Sequence, residues 1–171
     1  MSDSSASCSV QRDDGLADVA DLIAVYEQEV DELRAAVAGM SLEQLLARPI
    51  EGRWSTLEVV CHISDCEQVY ADRMKRTMAM ERPLLMGVDG DRYPGPLSYQ
   101  QRDLAEELAL VAMTRQQMAR ILRLACPDRW KRTAIHSETG MLTLRQILQH
   151  AVNHLRHHLP FIAEKRSAMR C

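Results

Sequence analysis

Four of the chain's six histidines fall in the nine positions from His150 to His158, and side chains four apart on a helix share a face. If this stretch is helical, His150, His154 and His158 form one stripe. Imidazoles stacked in that way are costly in an apolar core unless each finds a hydrogen-bond partner or a metal ion. A metal site needs a further ligand from another helix, and His62 qualifies. It follows apolar Val59, Val60 and Cys61 and precedes Asp65 and Glu67, which sets it facing inward near the start of its own helix. Three neutral imidazoles from His62, His154 and His158 suit Zn²⁺ or Ni²⁺ and leave a position open for water or substrate. The alternative source of such spacing is a set of surface histidines favoured by the dipole near a helix C-terminus.

Neighbouring residues widen the candidate site. His150, one turn before His154, is a possible fourth ligand. Cys66 lies one turn beyond His62 on the same face and offers a thiolate, although free cysteines in helices commonly serve as small core residues. Asp65 and Glu67 are candidate acceptors that would orient a ligating imidazole, or candidate acid/base groups. His136 is a third such candidate, with a structural hydrogen bond as its alternative role. Asp89, Asp91 and Tyr93 sit among prolines and glycines, where turn chemistry accounts for them.

The elements that would position these groups are helices. Leu16, Val19, Leu22, Ile23, Tyr26, Val30, Leu33 and Val37 recur at three- and four-residue steps, which predicts a helix over 16–38 that stops at Gly39. Capping-box spacing recurs at Ser41 with Gln44, Ser55 with Glu58, Ser98 with Gln101, and Thr143 with Gln146. The first predicts a short turn before Pro49. The others predict long helices from 55 to about 80, from 98 to about 125, and from 143 to about 167. Three prolines and three glycines between Pro83 and Pro96 make a long loop and a candidate pocket rim. The segment from Trp130 to Gly140 is irregular and reads as an extended excursion or a short hairpin.

Four long helices without convincing strands predict an all-α four-helix bundle, with long loops between the second and third and between the third and fourth helices. Residues 1–15, rich in Ser and Asp, read as a disordered tail, and 16–168 as a single domain. One Phe against ten Met suits packed helices. The net charge of −3 gives no general reason to expect nucleic acid or an anionic membrane as partner, and the basic C-terminal third lacks a recognition motif. Nothing approaches the run of about eighteen apolar residues that a membrane span needs, and the first fifteen residues lack a signal core. Five cysteines without framework spacing suggest a reduced, cytoplasmic protein. Charge is nevertheless uneven: residues 1–35 carry −7 and residues 115–171 carry +8, so the first and last helices are candidate neighbours.

Gly52-Arg53-Trp54-Ser55, the run Glu58-Val59-Val60-Cys61-His62-Ile63-Ser64-Asp65-Cys66-Glu67, His136 with Gly140, and His154-Leu155-Arg156-His157-His158 resemble the DinB/YfiT-like superfamily over roughly residues 16–165. The resemblance implies a divalent metal held within a four-helix bundle by His62, His154 and His158, with His157 preceding the ligand rather than serving as one. It also implies a homodimer. Two departures stand out: Pro160, which should kink the last helix just beyond the site, and the absence of a Gly-Gln after the double histidine.

No HExxH, GxSxG, Walker or dinucleotide motif competes. The expected function is a divalent-metal-dependent enzyme acting on a small molecule. The resemblance implies either a hydrolase using metal-bound hydroxide or a transferase that uses a low-molecular-weight thiol such as mycothiol or bacillithiol. The alternative is a non-catalytic dimeric module that binds metal or ligand.

Overall fold

The computed structural model describes residues 14–169. Most of the expected tail, residues 1–13, therefore lies outside the described residues, and the first helix already includes Asp14. Six helices run α1 (Asp14–Val37), α2 (Leu42–Leu46), α3 (Thr56–Ala79), α4 (Leu104–Arg123), α5 (Pro127–Trp130) and α6 (Leu144–Met169). The four long ones form the bundle.

Capping chemistry sets several boundaries. At α2 the Ser41 hydroxyl accepts from Gln44 N at 3.2 Å while Ser41 N donates to Gln44 Oε1 at 2.8 Å. At α3 the same reciprocal pair joins Ser55 and Glu58, at 3.2 and 2.7 Å. Thr143 and Gln146 repeat it at α6. Each box satisfies two backbone donors that have no partner within the helix. The Ser98–Gln101 spacing behaves differently. Ser98 takes φ +51 and caps nothing, only a short 3₁₀ turn follows at Tyr99–Gln101, and α4 begins later, with Asp103 accepting from Glu106 N at 2.9 Å. A left-handed residue cannot place its hydroxyl over a helix N-terminus, so the next side chain able to cap takes the role.

A small three-stranded sheet accompanies the bundle. β2 (Thr133–His136) and β3 (Gly140–Thr143) form an antiparallel hairpin within the irregular segment, and β1 (Leu84–Leu85) adds to it in parallel through Leu84 beside Ile135 and Leu85 beside His136. Gly140, at φ +79, turns the hairpin. α6 runs unbroken through Pro160, whose missing N–H falls on an exposed position.

α3 packs beside α4 and α6, and α1 packs beside the same two helices. The long helices α1 and α3, successive in the bundle, thus sit across it from one another, as do α4 and α6. Ion pairs give the directions. Arg145 bonds Asp18 and Arg156 bonds Glu29, so numbers rise together and α1 and α6 are parallel. His62 meets His154 while Glu67 and Ala151 share Arg115, so α3 and α6 are antiparallel. Arg115 bonds Glu67 and Lys75 bonds Gln117, so α3 and α4 are parallel and the order along the chain is up, down, down, up. Parallel neighbours align their dipoles unfavourably, and the acidic α1 and basic α6 offset this with the ion pairs that the sequence asymmetry suggested.

The core divides into two main clusters. One gathers Tyr26, Met74, Met118, Trp130 and Ile147 with the sheet residues Leu85, Ala134 and Leu142. The other gathers Leu33, Val60, Ile63, Val111 and Leu155. Between them lies Arg115, fully buried. Its Nη1 donates to Tyr26 O and to Glu29 Oε2, each at 2.8 Å, its Nε to Glu67 Oε2 at 2.8 Å, and its Nη2 to Ala151 O at 3.2 Å. One guanidinium on α4 therefore ties all three other long helices together.

Candidate metal centre

His62 is presented by the second turn of α3, where Val59, Val60, Cys61 and Ile63 bury the same end of the helix. His154 and His158 stand one turn apart on α6. Because these helices are antiparallel neighbours, the three rings meet. His154 Nε2 lies 3.0 Å from His62 Nε2 and 3.2 Å from His158 Nε2, and the three nitrogens all fall within 4.8 Å of one another. His62 and His158 are buried and His154 is half-buried.

Burial, with the neighbouring imidazoles as the next cause, pulls His154 and His158 down to about 3, and burial also lowers His62. All three are neutral at pH 7. A neutral imidazole brings one N–H and one lone pair, each on a different nitrogen, so His154 Nε2 is either donor or acceptor and can make only one full hydrogen bond across its two close contacts. A cation resolves that conflict. Ligands held roughly 2.0–2.1 Å from a tetrahedral Zn²⁺ stand about 3.3 Å apart, close to the spacings seen here. The residues present fit a divalent ion.

The depressed histidines set a pH dependence. Unfolded imidazoles titrate near 6.5 and the folded ones at about 3, so between these values the unfolded chain binds more protons and stability rises with pH. This contribution is full above pH 6.5 and is lost as pH falls toward 3. Metal-free wild type should therefore lose more stability between pH 7 and pH 5, by urea denaturation, than the His154→Ala/His158→Ala variant does. Equal losses would show that these imidazoles are not buried in neutral form.

The other candidates fall around this group rather than in it. His150 is exposed, and its pKa is lowered by burial and then by the charges of His136 and Arg73. Cys66 Sγ lies 3.7 Å from His62 Nε2 and 3.8 Å from Nδ1, yet it is not among the converging atoms. Burial pushes its thiol up to about 12. Asp65 is engaged elsewhere, accepting from Tyr99 Oη at 2.7 Å and from Arg102 at 2.9 and 3.0 Å. Glu67 bonds Arg115 and the Tyr26 hydroxyl. The carboxylates offered as acceptors for a ligating histidine thus have other partners. Buried His136 uses Nδ1 to accept from the hairpin amides of Glu138 and Thr139, at 3.3 and 3.4 Å, which is its structural alternative. His157 is exposed and packs edge-on to His158 and Phe161.

Several residues complete the site without a motif to announce them. Trp54 packs at a tilt against His62 with ring centroids 5.0 Å apart, and the Tyr70 ring centroid lies 5.6 Å from that of His154. Gly90, in the Pro83–Pro96 loop, presses its backbone so close that an added Cβ would sit 2.7 Å from His62 Cε1. The loop therefore packs against the His62 ring, and a side chain at Gly90 would force the ring or the loop to shift. His158 Nδ1 is buried without a hydrogen-bond partner among the described residues, so the one polar contact of that ring is Nε2 with His154. A cleft of about 380 Å³ opens beside the histidines, lined by His158, Trp54, Arg53, Asp91, Phe161 and Lys165 among others.

Comparison with known proteins gives concordant results. The DinB superfamily model matches residues 26–162. Two curated proteins bear the name "putative metal-dependent hydrolase". YfiT of Bacillus subtilis is 27% identical over 143 residues, covering 83% of this chain and 80% of its own. OB0782 of Oceanobacillus iheyensis is 24% identical over 130 residues, covering 76% and 75%. The solved YfiT structure superposes with a TM-score of 0.82 at 25% identity, over 96% of this chain and 93% of that one. A mycothiol-dependent maleylpyruvate isomerase shares the fold with a TM-score of 0.64 at 10% identity, over 81% of this chain and 58% of its own.

Proposed function

The chain belongs to the DinB superfamily, and from that premise we propose that it is a metal-dependent hydrolase whose divalent ion is held by His62, His154 and His158. The observation that carries the proposal is the convergence of three neutral imidazole nitrogens with no carboxylate among them. An all-nitrogen set of this kind favours Zn²⁺ or Ni²⁺ over Mg²⁺ or Ca²⁺, which take oxygen ligands. The names of the relatives YfiT and OB0782 support the same activity.

A divalent ion at this site would supply Lewis acidity, acidifying water and polarising a carbonyl. The chain's own groups do the rest. His62, His154 and His158 offer lone pairs at neutral pH because burial keeps them unprotonated. Trp54 and the Gly90 backbone pack against the His62 ring, and the cleft beside His158 gives a small molecule access to the histidines. The thiol-dependent alternative rests on the sequence resemblance, since the likeness to the isomerase is one of fold.

The reading is tested by loading the protein with Zn²⁺ or Ni²⁺ and screening small esters and amides. Hydrolysis that disappears on chelation and returns with the ion is the expected result. Turnover that survives complete removal of metal would overturn it, and a tightly loaded protein that hydrolyses nothing would leave the binding module.

A further inference from the structure

The cleft beside the histidines holds two cations, Lys165 and Arg53, that make no ion pair among the described residues. Among the described residues nearly every other buried charge is paired: Arg115 with Glu29 and Glu67, Arg102 with Asp65 and Glu107, Glu58 with Arg48. Lys165 is only 2% exposed, yet no carboxylate reaches ion-pair distance. Its ammonium spends one of three donors on Phe161 O, at 3.0 Å, and lies 5.9 Å from the centre of the Phe161 ring. Arg53 approaches the same ring at 6.0 Å. It too has no ion pair among the described residues.

Two cations gathered about one aromatic ring repel each other, and a buried ammonium with unfilled donors is costly. The lowering of the Lys165 pKa, from burial first, reflects that cost. Such an arrangement would not be retained for stability, because a methionine would fill the same volume without the penalty. It becomes favourable once an anion enters the cleft. Among the described residues the acidic groups lining it, Asp91 and Glu164, are exposed and solvated, so they oppose a singly charged ligand weakly and a doubly charged phosphate more.

We infer that Lys165 and Arg53 form an anion subsite that takes the carboxylate of a small substrate, with Trp54 and Phe161 as apolar walls and the scissile group directed to the histidines. The subsite deepens the hydrolase reading and depends on it for the word substrate. Its binding chemistry does not need the metal, so the two can fail separately.

Benzoate and its neutral analogue benzamide are suitable probes, because Trp54 lines the cleft and reports occupancy by fluorescence. Titrations are run on metal-loaded and metal-free protein, for wild type, Lys165→Met and Lys165→Arg. Benzoate should bind at least about tenfold more tightly than benzamide in both metal states, the scale of one charged hydrogen bond. Lys165→Met should erase that preference while holding or raising the thermal midpoint, and Lys165→Arg should keep part of it. A preference seen only with metal present and unchanged in Lys165→Met would place the carboxylate on the ion and overturn the subsite. So would a Lys165→Met variant that loses stability but keeps the preference, since Lys165 would then be structural. Equal binding of both probes throughout would overturn it as well.

Discussion

Replacing His154 and His158 together with alanine should abolish metal uptake and leave the bundle folded. Wild type reconstituted with Zn²⁺ or Ni²⁺ should hold about one ion per chain, as one set of three nitrogen ligands allows. The double variant keeps one nitrogen of the three. Its loss should exceed the roughly 10–100-fold cost of removing a partner outside the ligand set. Folding should survive because α6 is held by Leu148, Ala151, Val152, Leu155 and Ile162, all buried, and because the deleted imidazoles were desolvated polar groups. Mass spectrometry for metal content and circular dichroism for helicity read the two halves of the prediction. Stoichiometric metal retained in the double variant would remove the site from these residues. His62→Ala checks that the third ligand comes from α3.

The largest stability effect is expected at Arg115. Truncation to alanine would leave Glu29 and Glu67 buried, both within 2% exposure, with one cation removed from between them and the Ala151 carbonyl deprived of its bond. Breaking a buried pair by deleting one partner costs about 3–5 kcal/mol, or on the order of 10 °C in a chain of this size. Lysine should rescue little. A single ammonium cannot reach Tyr26 O, Glu29, Glu67 and Ala151 O at once, whereas the planar guanidinium does. Thermal and urea denaturation of Arg115→Ala and Arg115→Lys would decide the matter, and a loss under about 1 kcal/mol would show that the network does not hold the bundle together. The variant should also weaken metal binding, since Arg115 anchors α6 one turn before His154.

Much of this was legible in the residues. Helical period found the four long helices and capping boxes placed the starts of α3 and α6, because both signals are local: they depend on which side chains lie three and four positions apart. The Ser98–Gln101 spacing set the start of α4 too early. The hairpin was half-visible, as an irregular segment, but β1 was not. Two residues carry no period, and Leu84–Leu85 becomes a strand only because Thr133–His136 lies beside it.

The sequence by itself determined the stripe of histidines and the helices that bear it, because a face of α6 is a property of spacing. Only the tertiary structure decided which of those histidines converge. Each four-residue step drifts about 40° around the helix, so a ring on α3 meets a limited arc of α6. That arc holds His154 and His158 and leaves His150 exposed. Arg115 had a signal too, lying four residues after Val111 and three before Met118 on the apolar stripe of α4. What it pairs with, like the up-down-down-up order and the unpaired Lys165, is set by which helices become neighbours. Amphipathic period fixes the face that a helix buries and says nothing about the helix it is buried against.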